Sequence, residues 1–380
     1  MMLNSYDEWS ALKEVIVGSA IHQISNDTDL SFKLFYYDTP ASSFWYPRYE
    51  GASGGSSAVP CRTPTNASMR QYVEELNEDI SGLVDALVSL GVTVRRPISL
   101  SEPIPISTPY WSTQCSPPLN IRDQAIIFGD EIIETPPQIR SRYFENDLLK
   151  PIFYDYFEQG ARWTVMPRPV MTDRSFDLSY VSETSHVRWS EALRQRPSPF
   201  DVGLEMLIDA AQCIRFGRDV LVNVATRNHE KGLQWLTRHL DGRFRFHPVY
   251  RMADNHIDSI VLPLRPGLLL LRHERYRELL PAVLRRWDVI VAPDPETNHF
   301  PTYEDDVLVL TSKYIDLNVL SVDESIVIVN SLSPELMKRL ESYGFTVVGV
   351  RHRHRRIFGG GFHCFTLDTV RTGEAVDYFT

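Results

Sequence analysis

At 380 residues, with 43% hydrophobic and 23% charged side chains, the chain has ordinary soluble-globular composition and can bury a large core. A net charge of −10 argues against a protein that grips a phosphate backbone, which needs a basic footprint, and is compatible with cationic substrates. Apolar runs such as LLLL at 268–271 are far too short to span a bilayer, which excludes a membrane-spanning class.

In chain order, MMLNSYDEWSALKEV opens without a basic stretch followed by an apolar run, so no signal peptide is expected. EVIVG (14–18) reads as a strand and GASGGSSAV (51–59) as a flexible surface loop. Val73, Leu76, Ile80, Leu83, Leu87 and Leu90 fall at alternating steps of three and four, which gives a helix one apolar face. Gly91 ends that helix and VTVRR begins a strand. EPIPISTPYWSTQCSPP (102–118) is an irregular proline-rich connection, and AIIFGDEIIE (125–134) a hairpin turning at Gly-Asp. The strand–helix–strand order returns as DVLVNVA, HEKGLQWLTRHL, RFHPV from residue 219. It returns as LLLL, ERYRELLPAVLRRW, DVIVAP from 268, and as SIVIVN, SPELMKRLESYG, FTVVGV from 325. These units are unlike in sequence, so the repetition is architectural: a doubly wound sheet or a ring of small αβ modules. Gly-x-Gly-x-x-Gly and the P-loop pattern are absent, so neither dinucleotide nor P-loop binding has its signature.

Cys61, Cys115, Cys213 and Cys364 are spread out with no Cys-x-x-Cys pair, a poor disulfide framework and a poor zinc site that suits a reducing compartment. Cys364 stands apart. In GGGFHCFTLDTV (359–370) the glycines remove side chains where a ligand or another backbone comes close. The preceding RHRHRR (351–356) supplies positive charge that favours a thiolate, or forms a solvated basic strand. His363, beside the cysteine, reads as incidental. In NHIDS (255–259), a strand would point His256 and Asp258 to one face, as an acid/base with a cation anchor or as an ordinary paired histidine. Asp209, in LIDAAQCIRFGRD, is a helix cap or the buried orienter of a histidine. Asp123 precedes the hairpin next to Arg122, and Arg275 falls in a first helical turn.

Nearly end to end, the chain resembles the amidinotransferases, the family of arginine:glycine and inosamine-phosphate amidinotransferases. The resemblance runs from NSYDEWSALKEVIVG through FGDEIIETPPQIRSRYFE, GARWTVMPRPVMTD, DAAQCIRFGRD, HIDS and SKYIDLNVL to GGGFHCFTLDTVRTGEAVDYF. It implies one domain over 1–380: a pentein-type α/β-propeller with pseudo-fivefold ββαβ modules around a central active site. It implies an arginine donor and a covalent amidino-cysteine, with Cys364 as nucleophile, His256 as acid/base and Asp209 as its carboxylate partner. By the same resemblance Asp123 and Asp258 grip the guanidinium, Arg275 binds the donor carboxylate, and Thr311 and Ser312 also contact substrate. Asn255, where the glycine enzyme has methionine, is a candidate acceptor contact.

The partners implied are small molecules, an L-arginine donor and a primary-amine acceptor, with no metal or organic cofactor, no nucleic acid and no membrane. A cytoplasmic homodimer is compatible with this. Ping-pong transfer with release of L-ornithine follows. The segment YRMADN is short, Ile-Arg-Asp replaces Pro-Arg-Asp, and the block 184–204 lacks the family's glutamate-phenylalanine-glutamate run. The acceptor therefore stays open between an amino acid such as glycine or lysine and an aminocyclitol phosphate. Two other readings keep the fold: an arginine deiminase-like hydrolase with water as acceptor, and a non-catalytic binder of guanidino ligands.

Overall fold

In the computed structural model, which describes residues 1–23, 29–35, 66–178, 201–253, 255–295, 298–301 and 311–379, one small motif recurs five times. Each motif is a three-stranded sheet whose middle strand pairs antiparallel with one neighbour and parallel with the other. Ile126 to Ile133 and then Ile132 to Trp163 give one such sheet, and Ile214 to Leu221 and Val220 to Phe246 the next. Leu262 to Leu270 and Leu269 to Val289 give the third, and Leu320 to Ile328 and Val327 to Val347 the fourth. The last sheet joins the chain's two ends: Leu12–Val17 pairs antiparallel with Thr366–Arg371 and parallel with Thr93–Arg95. Parallel neighbours need a crossover, supplied by helices Asn66–Ser89, Lys150–Glu158, Arg227–His239 and Pro334–Ser342. The loop 51–59 and Cys61 lie outside the described residues. Among these residues no helix is long and apolar enough to cross a membrane.

The middle strands EIIE, DVLVNV and LLLL are buried throughout, and so is AIIF, the outer neighbour of EIIE. Sheets covered on both sides carry continuous apolar runs rather than alternating ones. The helix Asn66–Ser89 buries its predicted stripe. Leu76, Ile80, Leu83 and Leu87 are at most 1% exposed and pack with Val15, Val17 and Val350, at roughly 1.5–3 kcal/mol for each side chain.

Three expectations need correction. The segment after LLLL does not form one helix: it makes two short 3-10 turns, Glu274–Leu279 and Leu284–Arg286. Pro281 lies between them, and proline lacks the N–H that would continue a helix. NHIDS is not a strand but a turn before strand Val261–Arg265, closed by Ile257 N to Ala211 O at 3.2 Å and Val261 N to Ile257 O at 3.0 Å. RHRHRR is not a solvated basic strand. Arg351 and Arg353 lie 3.1 and 3.0 Å from Asp79, and Arg353 2.7 Å from Glu78, on the polar side of helix Asn66–Ser89. Arg355, at 0% exposure, turns inward onto Asp316 at 2.6 Å.

Ions also fill the middle of the molecule. Arg215 holds Glu8 with Nε at 2.9 Å and Asp368 at 2.7 Å, while Arg122 reaches Glu8 at 3.2 Å and Asp368 at 2.5 Å. Arg371 adds a bond to Asp368 at 2.7 Å. Burial alone would raise both carboxyls, but the guanidiniums win and hold Glu8 and Asp368 far below the carboxylate range. Although Arg122 is next to Asp123 in sequence, it is committed to Glu8 and Asp368, and Asp123 pairs with Arg142 instead.

Candidate active site

Turns at the inner ends of the sheets bring the candidate residues together. Asp123 ends the 3-10 turn Ile121–Asp123, just before strand Ala125–Phe128. Asp209 stands at the N-cap of Ala210–Gln212, so its cap role and its partnership with a histidine coexist. Its Oδ2 lies 2.9 Å from His256 Nε2, while Gln124 Nε2 and Gln138 N hold its Oδ1 at 3.2 and 3.4 Å. The other face of His256 is closed by Asp123, whose Oδ1 is 3.6 Å from Nδ1. Because NHIDS is a turn, Asp258 points away from Asp209 toward the cysteine: the Cys364 thiol donates to its Oδ2 at 3.4 Å.

The nucleophile loop is fixed by Asn318, whose Oδ1 accepts from Cys364 N at 2.9 Å and Gly361 N at 3.0 Å. The glycines serve this packing. A Cβ on Gly361 would lie 2.7 Å from Asn318 O, and one on Gly360, whose φ is +92°, would lie 2.4 Å from Asn120 Oδ1. The clearance there is for the protein's own chain rather than for substrate.

Among the carboxylates of this site, Asp123 Oδ1 and Asp258 Oδ1 are buried and accept no hydrogen bond. Each aspartate is tied through its other oxygen. Arg142 donates to Asp123 Oδ2 at 2.6 Å and grips Glu145 through Nε at 2.6 Å and Nη2 at 2.9 Å. His363 Nδ1 lies 2.7 Å from Asp258 Oδ2, with its Nε2 3.3 Å from Glu8. His363 is therefore not incidental. Buried carboxylate oxygens without donors are costly, and a planar cation with several N–H groups is the partner that removes that cost.

The electrostatics follow. Burial opposes the charged form of His256, but Asp123, Asp209 and Asp258 outweigh it and lift the imidazolium to about 9. The Cys364 thiol is pushed well up by burial and then by Asp258 and Asp123. Burial raises Asp123 while His256 and Arg142 pull it back. Asp258 is lowered, since His363 and His256 overcome its burial. Burial lifts Glu145 to about 7 against the pull of Arg142. Asp123, Asp209 and His256 place one donor atom each within 4.8 Å of one another, but both ring nitrogens face carboxylate oxygens. In this arrangement the His256 ring is clamped between two carboxylates.

The other candidates lie further out. Asn255 Nδ2 donates to Phe35 O at 2.6 Å, and the Phe35 ring meets His256 edge-on at 5.2 Å, so helix Leu30–Phe35 covers this side. Thr311 is buried, its hydroxyl donating to Arg355 O at 3.0 Å. Ser312 accepts from Arg272 at 2.7 Å. Arg275 is exposed, with its guanidinium over the Tyr276 ring.

Sequence reasoning missed Arg142, Glu145, Asn318, Glu8 and Arg272. Arg142 and Asn318 lie inside stretches that carried the resemblance, QIRSRYFE and SKYIDLNVL, but nothing in their spacing marks them out.

The chain is 31% identical over 380 residues to inosamine-phosphate amidinotransferase 1 of Streptomyces glaucescens, covering 99% of each. The chain belongs to the amidinotransferase family. It is also 31% identical to the mitochondrial glycine amidinotransferase of Danio rerio, with 99% of this chain and 84% of that protein covered. To the L-arginine:L-lysine amidinotransferase of Pseudomonas savastanoi pv. phaseolicola it is 29% identical, covering 98% and 96%. The solved inosamine-phosphate amidinotransferase of Streptomyces griseus superposes with a TM-score of 0.78 at 30% identity, over 99% of both chains. No protein-family model matches. The five-sheet architecture of this amidinotransferase is the pentein α/β-propeller.

Proposed function

We propose that this amidinotransferase takes the amidino group of L-arginine onto Cys364 and passes it to a primary amine, releasing L-ornithine. The observation that carries the reading is the pair of donor-free buried oxygens, Asp123 Oδ1 and Asp258 Oδ1, beside a buried thiol. The guanidinium lies between them, bound by charge-assisted hydrogen bonds. Burial, and after it Asp258 and Asp123, favours the protonated thiol in the empty site. A docked cation offsets the aspartates' charge, so the thiol passes its proton to solvent by way of Asp258 Oδ2, which already accepts from it, as substrate arrives.

The thiolate attacks the guanidinium carbon, forming a C–S bond and a neutral tetrahedral adduct. His256, which holds its proton up to about pH 9, gives it to the nitrogen of the departing amine. The C–N bond breaks, ornithine leaves, and a cationic amidino-thioether remains. An incoming amine attacks that carbon, neutral His256 takes its proton, and the C–S bond breaks to return the thiolate. Asp209, bonded to Nε2 at 2.9 Å, leaves Nδ1 as the ring face toward Asp123 and the reacting groups. The relatives act, by their names, on inosamine phosphate, glycine or lysine. Arg351 and Arg353 of the basic run pair with Glu78 and Asp79, and Arg355 with Asp316, which favours an amino-acid acceptor over a phosphate-bearing one.

Mass spectrometry after adding arginine alone should find an amidino group on Cys364, discharged by an amine with guanidino product. Citrulline in place of guanidino product would make water the acceptor, and no adduct on Cys364 would refute the covalent route.

A further inference from the structure

Behind the two aspartates the same construction appears twice. Glu8, His363 and Asp258 form one chain of contacts, at 3.3 and 2.7 Å. Glu145, Arg142 and Asp123 form the other, at 2.6 and 2.9 Å and then 2.6 Å. Each runs glutamate, cation, aspartate, and each ends at a buried oxygen with no donor. The segments are unrelated: the first relay joins the N-terminal stretch to the nucleophile loop, and the second lies within residues 123–145. All six side chains are nearly or fully buried.

We propose that His363 and Arg142 are positioning residues that pin Asp258 and Asp123 by their Oδ2 atoms, so that the free oxygens stay aimed at the guanidinium. His363 has a second task. The oxygen it holds is the one that accepts from the Cys364 thiol, so its charge offsets the carboxylate that suppresses the thiolate. Both ring nitrogens of His363 face carboxylate oxygens, so the ring is placed to donate to Asp258 on one side and Glu8 on the other. The charged groups around this pair are Asp258, Asp123 and His256 on the thiol side, and Glu8 behind the ring with Arg122, Arg215 and Asp368 beyond it. Arg122 Nε also donates to His363 O at 2.8 Å, which fixes the backbone of the ring that does the holding.

This inference rests on Cys364 as nucleophile and on the aspartate pair as the grip. Two variants test it. His363→Asn can still donate to Asp258 but carries no charge and does not reach Glu8. In substrate-free protein, alkylation of Cys364 by iodoacetamide across pH should slow about tenfold at neutral pH, the profile moving alkaline. Arginine KM should rise by about the same factor. Arg142→Lys keeps the charge but loses the two-point hold on Glu145, and should raise arginine KM about tenfold with a smaller change in kcat. A natively melting His363→Asn with an unshifted alkylation profile and unchanged KM overturns the inference. If that variant does not fold, unchanged KM in Arg142→Lys overturns it instead. Should the unsubstituted protein form no amidino adduct, the covalent reading fails while the alkylation profiles still decide whether His363 tunes the thiol.

Discussion

Asp258→Asn separates binding from thiol reactivity, because the two should move in opposite directions. The carboxylate presents Oδ1 to the site, accepts from Cys364 at 3.4 Å and is held by His363 at 2.7 Å. Truncating one partner of a buried, hydrogen-bonded charge pair costs about 2–5 kcal/mol. At 1.4 kcal/mol per factor of ten, kcat/KM for arginine should fall roughly 30-fold to 3,000-fold. Asp258 is also the first charge that raises the Cys364 thiol, after burial itself. Removing it should bring the thiol down and speed iodoacetamide alkylation at neutral pH by about tenfold. The assay is paired: steady-state turnover with saturating acceptor, and alkylation of Cys364 followed by mass spectrometry in the absence of substrate. If turnover and alkylation both fall in a natively melting variant, Asp258 is holding up the loop rather than gripping a cation, and the reasoning fails.

Stability should respond to His256. Its folded value of about 9 stands above the ordinary 6.5, so the stabilisation it contributes is complete below about pH 6.5 and is lost as pH rises through 9. Thermal melts between pH 6.5 and 9.5 should show a decline that His256→Gln abolishes, and an unchanged slope would contradict the clamp. Gly361→Ala should destabilise the fold by about 1–3 kcal/mol and slow adduct formation, since its Cβ would sit 2.7 Å from Asn318 O beside the bond that fixes Cys364 N. A melt and an adduct time course indistinguishable from the parent would show that the loop has room after all.

Much of the architecture was legible because it depends on local periodicity. The stripe from Val73 to Leu90, the hairpin at Gly129–Asp130 and the strand–helix–strand units are each written in neighbouring residues. Where local patterning competed with something else, the reading slipped. Pro281 broke a helix whose apolar spacing looked continuous, and turn hydrogen bonds to Ala211 took His256 and Asp258 out of a strand. RHRHRR looked like available charge because its partners, Glu75, Glu78 and Asp79, lie more than 270 residues away.

By itself, the sequence determined which elements form and, through the resemblance it carries, which residue types belong to a guanidinium and thiol chemistry. Tertiary structure alone decided how those residues face each other. That Asp209 and Asp123 flank His256 and that Asp258 turns instead to Cys364 are consequences of five sheets converging. So is the conversion of His363 from a bystander into the residue behind Asp258. Charge interactions act over a few ångströms in space whatever the separation along the chain. Glu8 and His363 are 355 residues apart and 3.3 Å from each other, a contact that no spacing in the sequence records.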